Sequence, residues 1–219
     1  MDEAGLRREM CRIGASLFAR GYVHATAGNI SVRLEDGGFL ITPTDSCLGF
    51  LDEERLSRVD ASGTHTAGDR PSKTLALHRR IYAADPQARC VIHTHSTHLV
   101  ALTLQGPWKG EELLPPLTPY FVMKVGHVPL IPYHRPGDAK VGDLVADAIA
   151  RFTKQGVPIR AVMLDRLGPN VWHDSPASAM AVLEELEETA KLWMLNGQRA
   201  QPLSEPQIEE LRKAFGARW

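Results

Sequence analysis

His93 and His95 stand two residues apart at the end of a short apolar run, Arg89-Cys-Val-Ile-His-Thr-His-Ser-Thr-His98. On a β-strand, side chains at i and i+2 leave the same face, so both imidazoles can reach one ion. Neutral imidazole is the commonest protein ligand for Zn²⁺, and a strand-borne pair suits a catalytic site that keeps a position open for substrate. The same pair also fits two polar residues on a half-buried strand, so the surrounding sequence has to decide. Three further segments carry groups that can hold an anion. Thr26-Ala-Gly-Asn-Ile-Ser31 sets a hydroxyl, the Asn29 amide and Gly28 together in a loop ahead of a strand, where bare backbone N–H groups can approach negative charge. Ile41-Thr-Pro-Thr44 adds another hydroxyl. Pro71-Ser72-Lys73 puts a hydroxyl and an ammonium at the N-terminus of a helix, whose dipole favours an anion. Singly, each is ordinary turn and capping chemistry; together they outline a phosphate cradle of three loops.

The elements that must position these groups alternate along the chain. Leu6, Met10, Ile13 and Leu17 mark an amphipathic helix that Gly21 would end. Residues 30–35 and 39–44 flank Asp36-Gly37-Gly38, a hairpin in which Gly supplies positive φ. A helix should follow Pro71-Ser72, and the histidine strand should follow Asp85-Pro86. A strand over 128–133 precedes a helix over 138–152 with Val141, Leu144, Val145 and Ile149 on one face. Residues 159–164 and 171–172 bracket Gly168-Pro169-Asn170 and suggest a second hairpin. Ser175 as N-cap, Pro176, the stripe Ala179, Leu183, Leu186 and Trp193, and Gly197 as stop define a long helix, and a shorter one should run over 206–215. Hairpins outnumber crossovers, which predicts an α/β fold with a mixed, mainly antiparallel sheet covered by helices.

The 219 residues, 43% hydrophobic and 23% charged, suffice for one sizeable core, so a single domain over 1–219 is expected. A formal net charge of -1 gives no basic field for nucleic acid and no polybasic segment for a membrane surface, which leaves small molecules or copies of the chain as partners. No apolar run approaches a membrane span, the first residues are charged, and Cys11, Cys47 and Cys90 are an odd, unpaired set. These features predict a cytoplasmic protein with reduced thiols.

In order, Thr26-Ala-Gly-Asn-Ile-Ser, Leu40-Ile-Thr-Pro-Thr, Pro71-Ser and Val91-Ile-His-Thr-His-Ser-Thr-His resemble the class II aldolase/adducin head family over roughly residues 6 to 197. The segments Asp69-Arg-Pro-Ser-Lys-Thr-Leu-Ala-Leu-His and Val128-Pro-Leu-Ile-Pro-Tyr-His-Arg-Pro-Gly-Asp resemble most its branch of 3-oxo-tetronate 4-phosphate decarboxylases. The resemblance implies a three-layer α/β/α fold with a central, mainly antiparallel sheet, one Zn²⁺ per subunit and a homotetramer with active sites between subunits. Carried over, Thr26, Gly28, Asn29, Thr44 and Ser72 are phosphate-binding, His93 and His95 are metal ligands, and Tyr120 is a proton donor across the interface. A buried core tyrosine is the other reading of Tyr120. His98 follows the family's pattern without being a ligand and reads as structural.

Two positions depart from that pattern. The aldolases' general-base glutamate is replaced by Thr74, with Lys73 before it, and the third histidine ligand is replaced by Leu167. His134, His127 and His173 are the remaining candidates for a third ligand, with His134 preferred for its place beside the family's active-site edge. Aldol cleavage needs a base, whereas a 3-oxo acid loses CO₂ by sending its electrons straight into the ketone. Lys73 could attract the substrate's carboxylate or phosphate; it could equally be a solvated lysine. The expected activity is therefore metal-dependent decarboxylation of a small phosphorylated oxo-acid. A sugar-phosphate aldolase of the same family and a catalytically silent, adducin-like oligomeric head are the alternatives.

Overall fold

The structure, a computed structural model, describes residues 1–219. Its sheet has eight strands, named in chain order: β1 (Asn29–Arg33), β2 (Phe39–Ile41), β3 (Ser57–Val59), β4 (His65–Ala67), β5 (Cys90–His93), β6 (Leu130–Ile131), β7 (Ala161–Leu164) and β8 (Gly168–His173). They lie in the order β4-β3-β2-β1-β5-β8-β7-β6, and all neighbours are antiparallel except β6 and β7. Six helices accompany them: α1 (Glu3–Ala19), α2 (Leu75–Ala84), α3 (Thr97–Thr103), α4 (Lys140–Lys154), α5 (Pro176–Leu195) and α6 (Glu205–Phe215).

Side-chain alternation on the central strands makes the layers. Ile30, Val32, Cys90, Ile92 and Val171 enter one core with Met10, Ile13 and Leu17 of α1, Leu99 and Leu102 of α3, and Leu183 and Leu186 of α5. Phe39, Ile41, Val91, Val162 and Trp172 enter the other with Ile81 of α2 and Val145, Ile149 and Phe152 of α4. Such two-sided burial gives the expected α/β/α arrangement. Trp172, fully buried, donates its indole N–H to Asp85 (3.0 Å), so its large apolar area is covered without an orphaned donor.

The strong helix signals match the structure. Asp2 caps α1 by accepting from the Gly5 N–H (2.8 Å), and Gly21 follows the helix at φ +73°. Ser175 caps α5, with Pro176 as its first residue and Gly197 beyond its end at φ +62°. Ser204 and Gln207 form a capping box on α6.

Two expectations fail. Gly168-Pro169-Asn170 is the opening of β8; the turn lies at 165–167, where Arg166 takes φ +59°. Gly168, at φ +142°, lies so close to the Thr94 carbonyl that a Cβ would overlap its oxygen, so strand pairing continues through a position only Gly can fill. The strand expected over 128–133 shrinks to the two residues of β6, which pair in parallel with β7, while Pro129 makes only a single antiparallel bridge to Glu112.

Candidate active site

One end of the sheet collects the chemistry. Here β5 ends at His93, β1 begins at Asn29, β2 ends at Ile41, and β8 begins at Gly168. Register sets Asn29 opposite His93 and His93 opposite Asn170, so three polar side chains form a row across adjacent strands. All three are buried. His78 of α2 is buried above them, with its Nδ1 2.7 Å from the Ser31 hydroxyl, which in turn meets the Tyr82 hydroxyl at 2.8 Å. Asn29 Oδ1, His78 Nε2 and both amide atoms of Asn170 have no partner within the chain. Buried polar atoms without partners cost about 1–3 kcal/mol each, and four around one imidazole mark a place built for something other than packing.

His93 donates its Nδ1–H to the Pro169 carbonyl (2.8 Å), because a carbonyl oxygen can only accept. That bond fixes the tautomer and leaves the Nε2 lone pair free. Burial, reinforced by the neighbouring His95, pushes His93 down to about 4 despite the opposing pull of the carbonyl bond. Burial also lowers His95, with His24 adding to the effect, and drives His78 down to about 3. At neutral pH these are uncharged imidazoles.

The fit of a divalent ion to the pair can be tested on distances. With Zn–N about 2.0–2.1 Å, the metal lies roughly 3 Å from each ring centre, and a tetrahedral angle puts two ring centres about 5 Å apart. The rings of His93 and His95 are 5.1 Å apart at 68°. Two ligands therefore fit. No third His, Cys, Asp or Glu converges with them in this conformation. Leu167 packs, partly buried, against the core beneath α2 and α4. The three suggested substitutes are engaged elsewhere. His134 faces Asp138 at 3.3 Å, His127 pairs with Glu112 at 3.0 Å and stacks on Trp219, and His173 pairs with Asp174 at 2.6 Å and meets Arg160.

The cradle loops reach the same end of the sheet. Gly28, at φ +84°, sits where a Cβ would be 2.9 Å from the His93 carbonyl oxygen, so the Thr26–Asn29 turn lies directly on the histidine strand. Thr42, buried, takes the Ile30 N–H on its hydroxyl (3.2 Å). A bridge between Pro43 and Pro71, with Thr44 N–H to the Arg70 carbonyl (2.9 Å), ties the Thr44 loop to the Ser72 loop. Ser72 and Lys73 precede α2, whose N-cap is Thr74 rather than a residue of the Pro71-Ser72 pair. The Thr74 hydroxyl is 2.8 Å from that of Ser72, and Lys73 is exposed.

Tyr120 stands apart. It is 63% exposed, not buried in a core, and precedes a π-helical turn, Phe121–Val125, that packs on α5 and α6. Phe121 and Val125 belong to the core opposite the His93 row, so a single chain does not bring Tyr120 to His93. His98 places its Nδ1 2.7 Å from Glu187, whose carboxylate also accepts from the His98 and Leu99 N–H groups at the start of α3.

Residues 8–194 match the family described as Class II Aldolase and Adducin N-terminal domain. The chain belongs to that family. It is 56% identical to a 3-oxo-tetronate 4-phosphate decarboxylase of Cupriavidus necator over 99% of each chain. The crystal structure of YgbL from Escherichia coli superposes with a TM-score of 0.85 at 44% identity, covering 96% of this chain and 99% of that one. An L-fuculose-1-phosphate aldolase from Thermus thermophilus gives 0.73 at 27% identity, covering 91% and 98%. The fold is that of a class II aldolase, α/β with helices on both faces of the sheet.

The family motifs pointed to the Thr26, Thr44 and Ser72 loops and to His93 and His95, but not to Asn170, His78 or His24. Asn170 hid in a Gly-Pro-Asn string with turn chemistry. His78 lies on the buried stripe of α2, three and four residues before Ile81 and Tyr82, and that spacing could have found it.

Proposed function

We propose that the chain is a carboxy-lyase that converts 3-oxo-tetronate 4-phosphate to dihydroxyacetone phosphate and CO₂ in the breakdown of four-carbon sugar acids. The observation that carries this reading is the full-length similarity to a decarboxylase at 56% identity, about twice the 27% shared with the fuculose-phosphate aldolase.

Within the site, Thr26, Gly28, Asn29, Thr44 and Ser72 hold the phosphate through hydroxyl, amide and backbone donors from three loops. Lys73 draws in the carboxylate at the site's edge. When bound at His93 and His95, a divalent ion, with Zn²⁺ favoured by imidazole donors, supplies the Lewis acidity that polarises a ketone. The carboxylate is β to the ketone, so the C–C bond electrons pass into the carbonyl as CO₂ leaves. The resulting enediolate takes one proton at carbon to give dihydroxyacetone phosphate. No base is needed to begin, and Thr74, its hydroxyl against that of Ser72, is not one. The proton comes from Tyr120 of a second subunit or from water, and the active form is a cytosolic homo-oligomer, a tetramer by family resemblance.

The purified protein, offered 3-oxo-tetronate 4-phosphate and separately ketose 1-phosphates, should release CO₂ and dihydroxyacetone phosphate from the oxo-acid. Dihydroxyacetone phosphate from the ketose phosphates alone would turn the reading to an aldolase.

A further inference from the structure

We propose that His24 is the third protein ligand of the metal at His93 and His95, taking the coordination place that Leu167 cannot fill. The inference rests on the metal reading above and goes beyond it in naming a ligand from a different loop.

Three imidazoles form a chain at the mouth of the site. The His93 and His95 rings are 5.1 Å apart, and the His24 ring lies 6.3 Å from that of His95 at 74°. A shared tetrahedral ion needs about 5 Å between ring centres, and the His24 ring stands about 1 Å beyond that spacing from His95. Its side chain is exposed, and rotation about its two χ angles is unhindered by core packing.

The backbone around His24 is fixed more firmly than its side chain. Val23 is buried in the core, and a Cβ on Gly28 would be 2.8 Å from the Val23 side chain and 2.9 Å from the His93 carbonyl. Between these anchors, Ala25 takes φ +47°, and the Ala27 N–H closes the turn on the His24 carbonyl (2.9 Å). A left-handed alanine is strained and persists only where the surroundings determine it. The turn thus seats residue 24 beside His95, which lies just past the end of β5, the strand that carries His93. Every other histidine suggested for the role already has a carboxylate partner.

The test is a Co²⁺ and Zn²⁺ titration of the chelator-stripped full chain, read by ligand-field absorption and by competition with a chromophoric chelator. Outer partners of metal ligands are worth roughly 10–100-fold in affinity, so losing a ligand in His24→Ala should weaken binding roughly tenfold or more. His24→Cys should bind Co²⁺ with a thiolate charge-transfer band, which a residue outside the coordination sphere cannot give. Leu167→His on the His24→Ala background should recover affinity by restoring a ligand at residue 167. Binding lost in His93→Ala but undiminished in His24→Ala, with no thiolate band in His24→Cys, would overturn this inference alone. A native chain that takes up no metal, or an undiminished His93→Ala, would overturn the metal reading along with it.

Discussion

At the scale of single residues, the site turns on imidazoles held uncharged by burial. His78 shows the cost most plainly. Its Nδ1 is bonded to Ser31, its Nε2 faces the His93 row without a partner, and burial lowers it to about 3 from an ordinary value near 6.5. Between those values the unfolded chain binds a proton that the folded chain refuses. Stability is therefore complete above about pH 6.5 and declines as pH falls toward 3, by up to ~1.4 kcal/mol per pH unit for this group. His93, lowered to about 4, adds a parallel slope over a narrower window. Denaturant midpoints of the metal-free protein between pH 7.5 and 4.5 should fall on acidification, and His78→Asn should flatten the dependence. Parallel curves for the two proteins would show that His78 carries none of it.

At the scale of elements, the site depends on two glycines that let backbones touch. Gly28 brings the cradle turn onto β5, and Gly168 brings β8 onto the segment between His93 and His95. Gly168→Ala would force a Cβ into the Thr94 carbonyl at a φ that L residues avoid. It should destabilise the fold by ~2–4 kcal/mol and loosen the Pro169 carbonyl from His93, lowering metal affinity as well. Unchanged stability in a urea titration would mean that the β5–β8 register is not as described.

The same elements show what the sequence could and could not convey. The long helices α1 and α5 were legible because four or five turns repeat the pattern and a glycine follows each. Strands β3 and β4, of three residues each, have no room for a period, and β4 is exposed throughout. Pro and Asn after Gly168 spoke for a turn, but the Asp165-Arg166-Leu167 segment made the turn and left them in the ladder. In the site, adjacent residues were legible as motifs, whereas the row Asn29, His93 and Asn170 exists only through strand pairing across the fold.

At the scale of the whole molecule, the proposed proton donor stands away from the histidines of its own chain. The His93 row faces the α2 and α4 side, while Tyr120, 63% exposed, precedes the turn that packs on α5 and α6 in the other core. The family resemblance puts a proton-donating tyrosine across an interface between copies, and a ring so exposed is free to take that part. If Tyr120 acts in a neighbour's site, two defective chains should repair each other. His93→Ala keeps Tyr120, and Tyr120→Phe keeps His93. Co-expressed and randomly assembled, they should leave about a quarter of the sites with both groups intact, and decarboxylation should rise above the sum of the separate variants toward that fraction. Mixing after assembly should give less, since exchange of subunits is then required. Activity equal to the sum of the two variants under co-expression would place both groups in one chain, or leave the proton to water.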